Sequence, residues 1–270
     1  PILGTRDTLK GLGQREMFHY HALHYAPDQV VVAICGRFDR EAFLRQIQDR
    51  FGALKQSNVQ TAAPLMEYVP SCSFENSKQE QTHLSLGLPG ISLWDSRKHA
   101  LSILNMILGG SSSSRLFQKI REELGLAYSI SSGISSYEKG GLLEIQTAVS
   151  PGEDRRACQE ILEVLSTLRR DGVTEKEFLR AREQLKSNLV MGMENTTARA
   201  GHMGRGEILR GRVDSEDDIL NQISKVTWEL VNQTARELLD LNSLSVSVVG
   251  PSDQEAYYQS IVGSSQPGVV

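Results

Sequence analysis

Ser114-Arg115-Leu116-Phe117-Gln118-Lys119-Ile120-Arg121-Glu122-Glu123-Leu124-Gly125-Leu126-Ala127-Tyr128-Ser129-Ile130 joins two kinds of structure at one glycine. The spacing predicts a short basic helix over residues 114–124, and a strand that begins at Ala127. Gly125 stands between them, where a helix stop requires the left-handed conformation that glycine adopts without penalty. Arg121 lies one turn from the helix end and Tyr128 is the second residue of the strand. A tight turn of this kind can bring a guanidinium and a phenol together. Such a pair offers donors toward a carbonyl oxygen, which suits gripping a peptide backbone or a developing oxyanion. The same spacing also fits an arginine that complements the negative end of a helix dipole. Spacing alone leaves both readings open.

Outward from this stretch, strands over 127–136 and 142–149 flank the turn Glu138-Lys139-Gly140-Gly141, a hairpin signal. Upstream, Leu84, Leu86 and Leu88 alternate with Ser85 and Gly87, predicting a strand over 81–88. An apolar helix over 96–108 leads into Gly109-Gly110-Ser111-Ser112-Ser113-Ser114. Downstream, a helix over 154–169 carries Ile161, Leu162, Leu165 and Leu168 on one stripe. Thr174-Glu175-Lys176-Glu177 is a capping box that opens a helix running to about Asn195. Further helices are expected over 198–209, 215–223 and 227–239, then a strand over 244–249 closing at Gly250. Nearer the start, a helix over 14–25 stops at Pro27, and Val30-Val31-Val32-Ala33-Ile34-Cys35 reads as a strand covered on both faces. A helix over 40–51 follows, then a polar linker over 55–64; residues 263–270 have the composition of a disordered end.

Two of these segments echo each other. A helix containing Glu16 feeds the strand closing at Gly36, and a helix containing Glu229 feeds the strand closing at Gly250. Such echoes point to repeated structural units. If the second copy ends a domain that begins near Gln81, the first should end a similar domain lying mostly before Pro1.

Composition excludes several classes. At 39% hydrophobic and 23% charged, with 23 glycines and 8 prolines, collagen-like, disordered and disulfide-framework chains are ruled out. The run Val30–Cys35 falls far short of the ~20 apolar residues that span a bilayer. A net charge of −4 argues against a dedicated nucleic-acid binder. The widely spaced cysteines, Cys35, Cys72 and Cys158, read as unpaired thiols of a reducing compartment such as the cytoplasm. The opening Pro1-Ile2-Leu3-Gly4-Thr5 lacks an initiator Met and a targeting pattern, and reads as a cut start.

Other candidate chemistry is weaker. His19, His21 and His24 cluster, but only His21 and His24 share a helix face, and neither H-x-x-E-H nor H-E-x-x-H occurs. The Gly109–Ser114 loop lacks the G-K-[ST] ending of a phosphate cradle and reads as a helix connection. No G-x-S-x-G elbow is present, and no cysteine has a context that lowers its pKa. Glu122-Glu123 and Asp217-Asp218 read as solvated helix faces.

The stretch Ser114–Ile130 resembles the "SRLF…RE…GLAYS" signature of the pitrilysin/insulinase-type zinc metallopeptidases, in their short branch related to the mitochondrial processing peptidase. Supporting segments are Pro1–Thr5, Tyr20-His21 to Tyr25-Ala26-Pro27-Asp28, the run Val30–Gly36 and Gln81-Thr82-His83-Leu84. The resemblance implies an α+β fold, a mostly antiparallel sheet packed on helices, in a protein of two similar domains facing across a chamber. It implies zinc on an inverted H-x-x-E-H helix of the first domain, with a further Glu ligand downstream. It also implies an arginine–tyrosine pair of the second domain that holds the peptide or unfolded polypeptide substrate, and Arg121 and Tyr128 match that pair in type and separation. The zinc motif is missing from these 270 residues, so no metal is expected in this chain. On this reading residues 1–64 are the end of the first domain with its linker, 65–250 a complete second domain and 251–270 a tail. The expected partner is a zinc-bearing N-terminal domain or a catalytic subunit, with dimerisation a further expectation. The alternative is a non-catalytic partner or structural subunit of the same fold.

Overall fold

Leu84, Leu86 and Leu88 stand two residues apart on one strand and are each at most 2% exposed, so the predicted alternation marks the centre of a sheet. The computed structural model describes residues 3–55 and 66–263. In chain order the elements are α1 (Arg6–Lys10), α2 (Gln14–His24), α3 (Arg40–Phe51), β1 (Cys72–Asn76), β2 (Thr82–Gly90), α4 (Lys98–Leu108), a π-helix (Phe117–Glu123), β3 (Ala127–Ser136) and β4 (Gly141–Val149). There follow α5 (Asp154–Asp171), α6 (Glu175–Glu194), α7 (Thr196–Arg210), α8 (Glu216–Ser224), α9 (Trp228–Leu238), β5 (Ser245–Gly250) and α10 (Glu255–Ile261). The chain divides into two compact units, Pro1–Ala62 with Leu189–Glu216, and Ala63–Asn188 with Asp217–Val270. Apart from Lys55 and Gly263, the expected linker and disordered tail lie outside the described residues.

The larger unit is built on one five-stranded sheet in the order β1-β5-β2-β4-β3. The pairs β2–β4, β2–β5 and β3–β4 are antiparallel and β1–β5 is parallel, so the sheet is mostly antiparallel as expected. Its buried face carries Leu84, Leu86, Leu143, Ile145, Val246 and Val248, and α4, α5 and α9 close over it with Leu101, Leu104, Ile161, Leu165, Val231 and Ala235. The capping box forms as predicted. The Thr174 backbone N–H donates to the Glu177 carboxylate at 2.8 Å, and the Glu177 N–H donates back to Thr174 Oγ1 at 3.2 Å.

Two elements of this unit escape sequence patterning. β1 is a five-residue polar edge strand, Cys-Ser-Phe-Glu-Asn, with no clear alternation. α10 is held by a buried polar latch: Asp154, 1% exposed at the start of α5, accepts from Ser252 Oγ at 2.5 Å and from the Tyr258 hydroxyl at 2.8 Å.

The smaller unit departs from expectation at one place. Residues 30–35 form no ladder among the described residues, and Val31 and Val32 are 37% and 44% exposed. The segment passes α7, where the Cβ missing from Gly204 would sit 3.4 Å from Ala33. A β-branched run becomes a strand only beside a partner edge, and the described residues of this unit supply none. α1, α2 and α3 bury no residue, and Met17, Phe18, Tyr20, Phe38, Leu44 and Phe51 are exposed.

Replacing Asp154 with alanine leaves two buried hydroxyls without an acceptor, at a cost of about 1–3 kcal/mol for each. The urea midpoint of the larger unit is therefore expected to fall, and Tyr258→Phe, which removes one donor only, should cost less. Equal midpoints for the D154A variant and the parent chain would show that the latch contributes nothing.

Candidate functional site

The predicted helix over 114–124 is wound mainly as a π-helix, in which the Leu124 N–H reaches the Lys119 carbonyl at 3.1 Å. Such widened turns accommodate one extra residue and concentrate at functional sites. Gly125 takes φ +60°, the left-handed stop expected of it, and the Leu126 N–H then closes onto the Ile120 carbonyl at 2.9 Å. The chain thereby reverses into β3 across the three residues Leu124, Gly125 and Leu126.

β3 begins irregularly. Ala127 pairs with Val149 and Ile130 with Thr147, so Tyr128 and Ser129 together oppose Ala148 alone. Two residues against one is a β-bulge, a device that re-aims a side chain. Here it turns Tyr128 outward, 81% exposed at the sheet edge.

These two irregularities bring the sequence-predicted pair together. The Arg121 guanidinium carbon lies 5.0 Å from the Tyr128 ring centroid and 4.8 Å from that of Phe117. Cation–π stacking holds a guanidinium by its faces and leaves its N–H groups to be used at the edge. Glu122 approaches that edge at 3.6 Å from Nε, a loose contact for an ion pair. A planar array of donors beside an exposed phenol can meet a carbonyl oxygen by exchanging its bound water for that acceptor. Sequence reasoning missed Phe117, although it lies four residues before Arg121, the spacing of neighbours on one helical face.

The other candidates do not form sites. His21 stacks on Tyr25 at 4.4 Å and His24 on Tyr20 at 4.2 Å, so these rings pack along α2 and do not converge on a common point. Among the described residues no group of three or more His, Cys, Asp or Glu side chains could hold a metal ion. Gly109 serves packing: its notional Cβ would lie 2.6 Å from the Ser132 amide, which donates to the Gly109 carbonyl at 3.2 Å. Burial pushes the Cys158 thiol up to about 12, and burial followed by the Glu255 charge raises that of Cys72, so neither is an activated nucleophile. No helix among the described residues is long and apolar enough to cross a membrane.

The family described as the peptidase M16 inactive domain matches residues 13–185, well over half of the chain. The chain belongs to this family. An uncharacterized zinc protease of Bacillus subtilis is 35% identical over 252 residues, covering 93% of this chain and 61% of that protein. Another from Streptomyces coelicolor is 35% identical over 265 residues, covering 95% and 58%. The chain thus spans about three-fifths of the length of these relatives. The crystal structure of a peptidase M16 inactive domain from Pseudomonas fluorescens superposes with a TM-score of 0.77 at 21% identity, covering 92% of this chain and 60% of that one. A chain of the complex III dimer of Candida albicans superposes at 0.80 with 16% identity, covering 97% and 64%. The mixed α/β architecture is the one shared with the M16 inactive-domain structure.

Within this M16 domain the site helix is anchored by Arg115. Its Nε and one terminal nitrogen donate to the two Glu177 oxygens at 2.8 and 2.9 Å, and that same nitrogen also donates to the Gly172 carbonyl at 2.9 Å. Burial alone would raise the Glu177 carboxyl, but hydrogen bonds from Arg115 and from the Thr174 amide and hydroxyl outweigh it and bring it down to about 2. A depressed carboxyl contributes stability that is present above its unfolded value and lost as pH falls through its folded one. The contribution should therefore be complete near neutrality and disappear between about pH 4.5 and pH 2. Glu177→Gln is expected to lower stability at pH 7 by about 1–2 kcal/mol, after allowance for solvent screening. It should also flatten the decline of the melting temperature across that window. An unchanged acid profile in the E177Q variant would remove Glu177 from the anchor.

Proposed function

We propose that this chain is the substrate-gripping, non-catalytic part of a zinc-dependent metalloendopeptidase that acts on peptides or unfolded polypeptides. The observation carrying this reading is the Arg121 guanidinium 4.8 Å from the Phe117 ring centroid and 5.0 Å from that of the exposed Tyr128. In use, the Arg121 edge and the Tyr128 hydroxyl donate to backbone carbonyl oxygens of an extended substrate. Donors fixed before the reaction favour an oxygen that gains negative charge during it, because no reorganisation is required at that moment. The description of the family as an inactive domain and the naming of its relatives as zinc proteases support a division of labour. The hydrolytic zinc then belongs to another part of the protein or to a partner, and this chain supplies grip.

On the same reading residues 1–64 close a preceding domain of similar fold, and residues 65–250 are the second one. The helix–strand echo supports it. α9 buries Val231 and Ala235 under α4 and α5 and leads into the fully paired β5, whereas α2 buries no residue and Val31 and Val32 of the run over 30–35 are exposed. A two-domain chamber would supply the missing cover. A second reading, a non-catalytic or structural partner subunit, is favoured by the fold likeness to a chain of complex III. The two part on whether the longer polypeptide carries H-x-x-E-H upstream of these residues.

In the longer, zinc-loaded polypeptide, Arg121→Ala and Tyr128→Phe are each expected to lower cleavage of fluorescein-labelled β-casein about 10²-fold, the usual loss for one oxyanion donor. Zinc content, measured by atomic emission, should stay unchanged. Unaltered cleavage by both variants would take the pair out of the mechanism. Stoichiometric zinc on the purified 270 residues would overturn the placement of the metal elsewhere.

A further inference from the structure

Along β4 the face turned to the helices reads Leu143, Ile145, Thr147, Val149, and all four are buried. One hydroxyl therefore interrupts an apolar stripe, at 6% exposure, on a strand flanked by β2 and β3. Burying a hydroxyl is unfavourable unless it finds a partner. Thr147 Oγ1 donates to the Ser129 carbonyl at 2.9 Å. Ser129 is the second residue of the bulge that turns Tyr128 out of the sheet. The bulge interrupts the regular β3–β4 ladder at this place, and the threonine hydroxyl answers the displaced carbonyl.

We propose that Thr147 is a positioning residue for the Arg121–Tyr128 pair: its buried hydroxyl fixes the bulge that presents the phenol to the guanidinium. The chain of contact is short. Thr147 holds the Ser129 carbonyl, Ser129 neighbours Tyr128, and the Tyr128 ring lies 5.0 Å from the Arg121 guanidinium. Without that bond the two-against-one pairing loses its side-chain anchor, and the strand can relax toward regular pairing. A one-residue slip in a strand sends a side chain to the opposite face. Tyr128 would then leave the guanidinium, the extra residue passing from the strand into the turn at Gly125. The importance of Thr147 to substrate rests on the grip reading above, whereas its hold on the bulge does not.

The test uses the 270-residue chain with Thr147→Val, which keeps the shape and removes the hydroxyl, and Thr147→Ser, which keeps the hydroxyl. The first readout is the Arg121 side-chain Nε–H resonance in ¹⁵N-arginine-labelled protein. The part of its shift that Tyr128→Leu removes is the contribution of the Tyr128 ring. T147V is expected to lose most of that contribution and T147S to retain it, a pattern that a change in global stability alone does not produce. The second readout is the affinity for fluorescein-labelled β-casein by anisotropy, expected to weaken about tenfold in T147V and to recover in T147S, since small misplacements of a positioned group are costly. Deletion of Ser129, which removes the bulge outright, provides a second route should T147V fail to fold, and it should abolish the same ring shift. An unchanged ring contribution in T147V, or in the Ser129 deletion, would overturn the inference. If instead the ring shift is lost but R121A, Y128F and T147V all bind β-casein as the parent chain does, the bulge assignment stands and the grip reading fails.

Discussion

A guanidinium can stack on a ring across a helix-to-strand turn only if the turn returns the chain almost upon itself. In this protein Gly125 at φ +60° makes the reversal, and the Leu126 amide bonded to the Ile120 carbonyl closes it. Arg121 and Tyr128 are then separated by one tight loop, and the distance between them is set by how each flanking element departs from regularity. The π-helix adds a residue to the turn carrying Arg121, and the bulge adds one to the strand carrying Tyr128. Both departures give up regular backbone pairing locally. The two lie on either side of one glycine, and their joint product is the approach of these two side chains.

The surroundings of the turn are correspondingly stiff. The start of the site helix is fastened by Arg115 to Glu177 and the Gly172 carbonyl, and α4 ends against β3 through Gly109 and Ser132. Arg180 reaches the Ser113 carbonyl at 3.0 Å and Gln118 that of Ser112 at 2.8 Å, so the serine-rich connection is bonded from two sides. The sheet contributes Thr147 from beneath. A substrate grip such as the one proposed would be effective to the extent that its donors are already in position when the substrate arrives. Polar contacts at the termini of neighbouring elements serve that end better than additional apolar burial would, because they fix direction as well as distance.

Much of this could be read from the chain, and the failures have physical reasons. The hairpin β3–β4, the helix α5, the capping box at Thr174 and the glycine stop all follow from local rules in which one residue type is strongly preferred at one position. The pairing of Arg121 with Tyr128 was readable as a possibility of the turn, but its geometry was not. A π-turn differs from an α-turn by a fraction of a residue per turn, which seven residues cannot display as periodicity, and a bulge is invisible without knowledge of the partner strand. β1 was missed because a short polar edge strand has no pattern to show. The run over 30–35 was read as covered on both faces from its β-branched content, which reports what a strand would bury and not whether a partner is beside it.

That last discrepancy bears on the organisation of the protein. Val246 and Val248 of β5 are buried because β1 and β2 lie on either side and α4, α5 and α9 cover the face. Val31 and Val32 lie in a continuous apolar run after α2 and stay exposed, whereas β5 alternates serine and valine after α9. Both segments follow a helix, and what accompanies burial at β5 is the presence of paired strands and covering helices beside it. An amphipathic helix followed by an apolar run is stable only when its apolar side is covered. The relatives are longer than this chain by about two-fifths of their length. A neighbouring domain built like the larger unit would offer the segment two strand edges and a layer of helices, which is the environment that β5 already occupies.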